Sequence, residues 1–206
     1  YVLDIASPAL TLVPDTLPDG VVGTQYAQTF VSTGGIAPYR YLAVERGGDS
    51  LPTGLSLNED GLLQGTPTAA GVFSFAIIAT DSTGGQPASI RRTYTITVAP
   101  PSIAIDPATL PKAIAGLEYA QTLTAHGGTA PYTFSVSAGA LSPGLALSAA
   151  GVLSGMPTEI GGSSFTVTAT DAAGFTGARV YTIAVIVPRP VPVARVLSVV
   201  AGGSLT

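Results

Sequence analysis

The chain contains no cysteine and no tryptophan, one histidine and one methionine, and only 10% of its residues are charged. Each scarcity closes off a class of chemistry. Without cysteine there is no disulfide framework, and with a single histidine besides there is no zinc site of the usual kind. A Ser-His-Asp arrangement would need His126. That residue sits in a Gly-Gly turn where the matching position earlier in the chain is Thr33, so it reads as a surface turn residue. Ordinary globular proteins carry roughly 25% charged residues. Here the surface must be covered mainly by Thr, Ser, Gly and Ala. The formal net charge of −4 and the scattered Lys and Arg give no basic footprint for nucleic acid. The most apolar stretch, Ile183 to Val200, is broken by Pro188, Pro190 and Pro192 and carries Arg189 and Arg195. It does not read as a continuous membrane-spanning helix.

What is present is repetition. Gly61 to Asp81, GLLQGTPTAAGVFSFAIIATD, returns 90 residues later as GVLSGMPTEIGGSSFTVTATD, Gly151 to Asp171. Each copy reads as a short strand, a Gly-Xaa-Pro-Thr turn and a longer strand ending on an acid. GTQYAQTF (Gly23 to Phe30) returns as GLEYAQTL (Gly116 to Leu123), and GGIAPYRYLA as GGTAPYTFSV, both 93 residues on. YTITV at Tyr94 returns as YTIAV at Tyr181, 87 residues on, so two loops are each three residues shorter in the second copy. Alternation puts Tyr26, Gln28 and Phe30 on one face, Phe73, Phe75, Ile77 and Ala79 on another, and Tyr94, Ile96 and Val98 on a third. Gly54 and Gly144 follow proline-containing turns and are expected at positive φ. No segment sustains a helical period.

These patterns predict an all-β chain of two tandem antiparallel β-sandwiches, immunoglobulin-like or cadherin-like, arranged end to end with stiff proline junctions. Residues 9–99 and 100–188 are the two repeats. YVLDI, Tyr1 to Ile5, matches YTITV, so residues 1–8 read as the last strand of a preceding repeat. Residues 189–206 read as a linker and the first strand of a following domain.

The order LPTGLSLNEDGLLQGTPTAAGVFSFAIIATD, preceded by GTQYAQTF and GGIAPYRY, resembles the immunoglobulin-like repeats of bacterial surface proteins, close to dystroglycan-type, cadherin-like repeats. The second copy departs from the pattern in LSPGLAL and GMPT but keeps the turn glycines. The resemblance implies sandwich modules of large secreted or surface-anchored bacterial proteins, including adhesins and autotransporters, and no catalytic residues. It implies an extracellular location, with neighbouring repeats as partners and a host or cell-surface protein or glycan as a further one, and neither nucleic acid nor membrane insertion. The expected role is a non-catalytic spacer or stalk. The alternative is a ligand-binding adhesin module, with the charged loop Glu45 to Ser50 as its candidate contact.

The acids carry the one metal question. Only Asp81 and Asp171 occupy the same place in both copies. A short acid at a strand end before a Gly-rich loop accepts loop N–H groups in an Asx-type turn. By analogy with cadherin repeats, whose Ala-Xaa-Asp segment donates a carboxylate at a junction, the alternative is calcium held by Asp81 and Asp171 with Glu118 and Asp106. The junction VAPPSIAI lacks the Asp-rich linker of true cadherins. The tyrosines recur at equivalent strand positions and read as core packing with the hydroxyl at the rim rather than as a sugar-stacking platform. The absence of tryptophan weakens a carbohydrate reading further.

Overall fold

The structure is a computed structural model that describes residues 9–45 and 49–187. The expected outer strands in 1–8 and 189–206 lie outside the described residues, as does Arg46 of the charged loop. No described residue is helical.

The first repeat has nine strands: β1 (Thr11–Val13), β2 (Gly20–Val21), β3 (Tyr26–Thr29), β4 (Val31–Thr33), β5 (Arg40–Val44), β6 (Leu55–Leu57), β7 (Leu62–Gly65), β8 (Gly71–Thr80) and β9 (Ser89–Ala99). They form a four-stranded sheet in the order β2-β9-β8-β5, a three-stranded sheet β3-β7-β6, and the pair β1-β4. The second repeat reproduces this strand for strand. Its elements are β10 (Ala104–Asp106), β11 (Ala113–Ile114), β12 (Tyr119–Thr122), β13 (Thr124–His126), β14 (Thr133–Gly139), β15 (Leu145–Leu147), β16 (Val152–Gly155), β17 (Gly161–Thr170) and β18 (Thr176–Ile186). The sheets are β11-β18-β17-β14 and β12-β16-β15, with the pair β10-β13.

The alternation read from the sequence is the alternation of burial. In β9, Tyr94, Ile96 and Val98 face inward while Thr93, Thr95 and Thr97 face water. Leu12, Phe30, Leu63, Phe75, Ile77, Tyr94 and Ile96 build the first core. Ile105, Leu123, Leu153, Phe165, Val167, Tyr181 and Ile183 are buried at the matching positions of the second repeat. Tyr94 packs on Phe30 and Phe75 with ring centroids 5.2 and 6.2 Å apart, and Tyr181 packs on Phe165 at 6.0 Å. Aromatic pairs at such spacing add about 1 kcal/mol beyond area burial.

One part of the expected topology is corrected. The sheets are not purely antiparallel: β2 pairs in parallel with β9, Gly20 opposite Val98 and Val21 opposite Ala99. In the second repeat β11 does the same with β18, Ala113 opposite Val185. Pro18-Asp19-Gly20 reads as a turn, and two strand residues are too few to show a period of two. The pairing is held from outside the strand. Asp19 Oδ1 accepts the Thr97 N–H at 3.1 Å, and Val22 N–H donates to the Ala99 carbonyl at 3.0 Å.

Candidate functional site

The recurring acid is where the sequence concentrates polar chemistry, and the structure buries it. Asp81 follows β8 and is 5% exposed; Asp171 follows β17 and is 6% exposed. A carboxylate in such a place needs its lone pairs occupied. Asp81 accepts the backbone N–H of Ile36 (3.1 Å), Thr83 (3.3 Å) and Ala88 (2.7 Å), together with the Thr83 hydroxyl. Asp171 accepts the N–H of Thr129 (2.9 Å), Ala173 (2.9 Å) and Phe175 (2.8 Å). Each carboxylate therefore stitches the Gly-Gly turn before β5 or β14 to the loop after its own strand. Gly35 and Gly128 are required there: a Cβ would lie 2.3 Å from Asp81 Oδ2 and 2.5 Å from Asp171 Oδ2.

The donors hold both acids ionised. The Thr83 hydroxyl lowers Asp81, assisted by the three N–H groups and opposed by burial. Burial pushes Asp171 up, but the N–H groups of Thr129, Phe175, Ala173 and Gly174 outweigh it, and its carboxyl lies below the usual carboxylate value. The Asx-type turns expected of these acids are present. A carboxylate offers about four acceptor positions, and the four donors on Asp81 use them.

Among the described residues no three His, Cys, Asp or Glu side chains are gathered as a metal site. Glu118 lies exposed in the turn before β12, and Asp106 lies exposed at the end of β10. The four residues of the calcium expectation are thus not brought together in one group. His126 ends β13, exposed, rather than sitting in a turn. In the charged loop, Glu45 Oε1 accepts the Leu51 N–H at 3.1 Å.

Tyr26, Tyr94, Tyr119 and Tyr181 are core residues whose hydroxyls are spent on carbonyls, and the half-buried Tyr39 and Tyr132 spend theirs in the same way. Tyr26 donates to the Pro18 carbonyl and Tyr119 to that of Pro111, at 3.0 and 3.1 Å. Tyr94 donates to Pro14 and Tyr181 to Pro107, at 2.8 and 2.7 Å. Tyr39 and Tyr132 donate to Gly34 and Gly127. Each pair uses the matching carbonyl in the two repeats. The sequence placed these rings but not their acceptors, which depend on the cross-fold approach of the β1 and β10 ends.

Burial, with the Asp19 charge adding to it, pushes the Tyr26 hydroxyl up to about 12; burial also raises Tyr94 and Tyr119. An unfolded tyrosine ionises near 10. Stability from these phenols is therefore fully present below about pH 10 and lost as pH rises toward 12. The tyrosinate absorbance of Tyr26, Tyr94 and Tyr119 should accordingly appear above about pH 10, together with loss of the strand signal in circular dichroism. Ionisation of these three near pH 10 with the fold intact would contradict this.

The description "Putative Ig domain" belongs to a family that matches this chain twice, over residues 8–99 and 101–186. The chain is a member of that Putative Ig domain family. No curated protein matches it. Among solved structures it is similar to an endo-fucoidan hydrolase of glycoside hydrolase family 107, at 20% identity and TM-score 0.35 over 88% of this chain and 29% of that one. It is also similar to the extracellular cadherin domains 1–4 of protocadherin gamma B7, at 14% identity and TM-score 0.39 over 88% of this chain and 51% of that one. Mouse cadherin-23 EC22–24 matches at 15% identity and TM-score 0.36 over 87% of this chain and 67% of that one. The chain thus spans 29% and 51% of the first two, and the TM-scores below 0.5 leave the family match to carry the assignment. No helix among the described residues is long and apolar enough to cross a membrane.

Proposed function

We propose that the two Putative Ig domain repeats are non-catalytic spacer modules of a secreted or cell-surface bacterial protein. One observation carries the reading. The polar groups that recur in both repeats, Asp81 with Asp171 and the three tyrosine pairs, are consumed by backbone partners within their own repeat. What is duplicated is a self-sufficient fold, held without disulfide and with its buried acids hydrogen-bonded to backbone amides. A low-charge surface of Thr, Ser and Gly suits a module whose task is to occupy length.

Pulling the whole chain from its two ends tests this. Two unfolding steps are expected, each releasing roughly 30 nm of chain at about 3.6 Å per residue, with forces unchanged by EDTA or millimolar calcium. A single merged step would contradict the modular reading. A rise in force with calcium would return Asp81, Asp171, Glu118 and Asp106 to a metal role, since a ligand that binds only the folded state stabilises it.

A further inference from the structure

The two repeats are internal controls for one another, and at one place they disagree systematically. A groove of about 370 Å³ in the first repeat is lined by Thr29, Phe30, Ser32, Tyr39, Tyr41 and Asp60. A smaller one of about 180 Å³ shares Tyr39 and Asp60 with it and adds Arg40 and Glu59. The floor is β4 and β5; the wall is the turn between β6 and β7. The same backbone frame exists in the second repeat. Phe30 N–H donates to the Gly61 carbonyl and Leu123 N–H to that of Gly151, at 2.8 and 2.7 Å. Tyr41 N–H donates to the Glu59 carbonyl and Phe134 N–H to that of Ala149, both at 3.0 Å.

The side chains differ in one direction. Where the first repeat has Ser32, Arg40, Tyr41, Glu59 and Asp60, the second has Ala125, Thr133, Phe134, Ala149 and Ala150. The second repeat folds without these groups, so the fold does not require them. Tyr41 is set apart from the paired tyrosines by this alone, since its counterpart needs no hydroxyl. Ser32 is 4% exposed, and its hydroxyl is the buried side-chain polar atom left without a partner among the described residues. An unpaired buried hydroxyl is a standing cost that calls for a reason.

We infer that this groove is a binding site for a neutral, hydroxyl-rich sugar ring. The Tyr39 ring is held as a fixed face by its hydroxyl bond to the Gly34 carbonyl at 2.6 Å, and an aromatic face that loses little freedom on binding suits the apolar side of a pyranose. Among the described residues nothing pairs with the exposed Asp60 carboxylate, which accepts vicinal hydroxyls. Arg40 and Glu59 are ion-paired at the rim, so with Asp60 the local charge is −1. An anionic ligand is thereby disfavoured and a hydroxyl donor favoured. The Tyr41 hydroxyl adds a polar contact at the floor, behind which Ser32 is buried. This site is independent of the spacer reading: failure of the test below leaves that reading untouched.

The test is amide chemical-shift mapping of the full chain with the methyl glycosides of glucose, galactose, mannose and N-acetylglucosamine, and with a lysine-rich peptide. At least one glycoside should shift residues 29–32, 39–41 and 59–61 saturably, with affinity on the order of millimolar for so open a groove. The variant Ser32→Ala, Tyr41→Phe, Asp60→Ala imports only side chains the second repeat already accommodates. It should stay folded and bind roughly tenfold more weakly or worse. The reciprocal Ala125→Ser, Phe134→Tyr, Ala150→Asp should bring the shifts to the second repeat. The proposal is overturned if no glycoside shifts these amides, if the shifts persist in the first variant, or if only the lysine peptide binds and does so in a salt-sensitive way.

Discussion

Replacing Asp81 with Ala lowers the melting temperature by roughly 10 °C or more, and Asp171→Ala does the same through the second repeat. The reason lies in what the substitution strands. Three backbone N–H groups and one hydroxyl converge on Asp81, and removing the acceptor leaves them facing a small apolar methyl group in a site closed to water. Asp81→Asn keeps one oxygen but turns an amide donor toward other donors, so it falls between Ala and the native residue. Glu118→Ala, an exposed acid, stays within a degree or two. The acid limb follows from the direction of the shifts. Both carboxyls are lowered on folding, so their contribution is complete above the unfolded value near 3.9 and is lost as pH falls through the folded values. The melting temperature should therefore be flat from pH 7 to about 5 and drop below about 4. The double Ala variant should show a shallower drop. If Asp81→Ala melts within two degrees of the native chain, the stitching role is wrong.

Gly65→Ala is the second large loss, about 3 kcal/mol or more, or roughly 12 °C or more for a repeat of this size. Gly65 has φ of +141°, and a Cβ there would stand 2.0 Å from the Gly54 carbonyl oxygen. That oxygen is not free to retreat, because it accepts the Thr66 N–H at 3.1 Å. Gly155 stands in the same relation to Gly144, at φ +137° and 2.1 Å, and Gly155→Ala should cost the second repeat as much. Gly84→Ala, where a Cβ meets nothing within 4 Å, is the control and should change stability by no more than about 0.5 kcal/mol. Thermal melts of the three variants decide the matter; equal effects at Gly65 and Gly84 would refute the collision.

Much of this was legible beforehand because two imperfect copies constrain one another. Phe75 and Phe165, or Ile96 and Ile183, are apolar at the same strand position, and burial on a pleated face follows from period two. Asp81 and Asp171 were singled out by coincidence of place, and the Asx turn follows from a short acid before a glycine-rich loop. The positive φ at Gly54 and Gly144 was likewise expected and is present, at 94° and 90°. What escaped was everything that depends on chain segments meeting from far apart. The parallel pairing of Gly20–Val21 with Val98–Ala99 joins residues nearly a whole repeat apart. The Pro14 and Pro107 carbonyls under Tyr94 and Tyr181 are equally remote in sequence. The acids other than Asp81 and Asp171 have no match in the other copy, and the tyrosines read together as core rings; only the folded turn brings Asp60 and Tyr41 into one groove.

The parallel closure has a consequence for how such arrays grow. Among the described residues the last residues of β9 are the sole sheet neighbours of β2, and those of β18 serve β11 in the same way. A truncation or an out-of-register join that removed Val98–Ala99 or Val185–Ile186 would leave the early strand without its parallel partner. Exchange between repeats therefore keeps this closure wherever it joins matching positions, and the length gained or lost is that of a whole repeat.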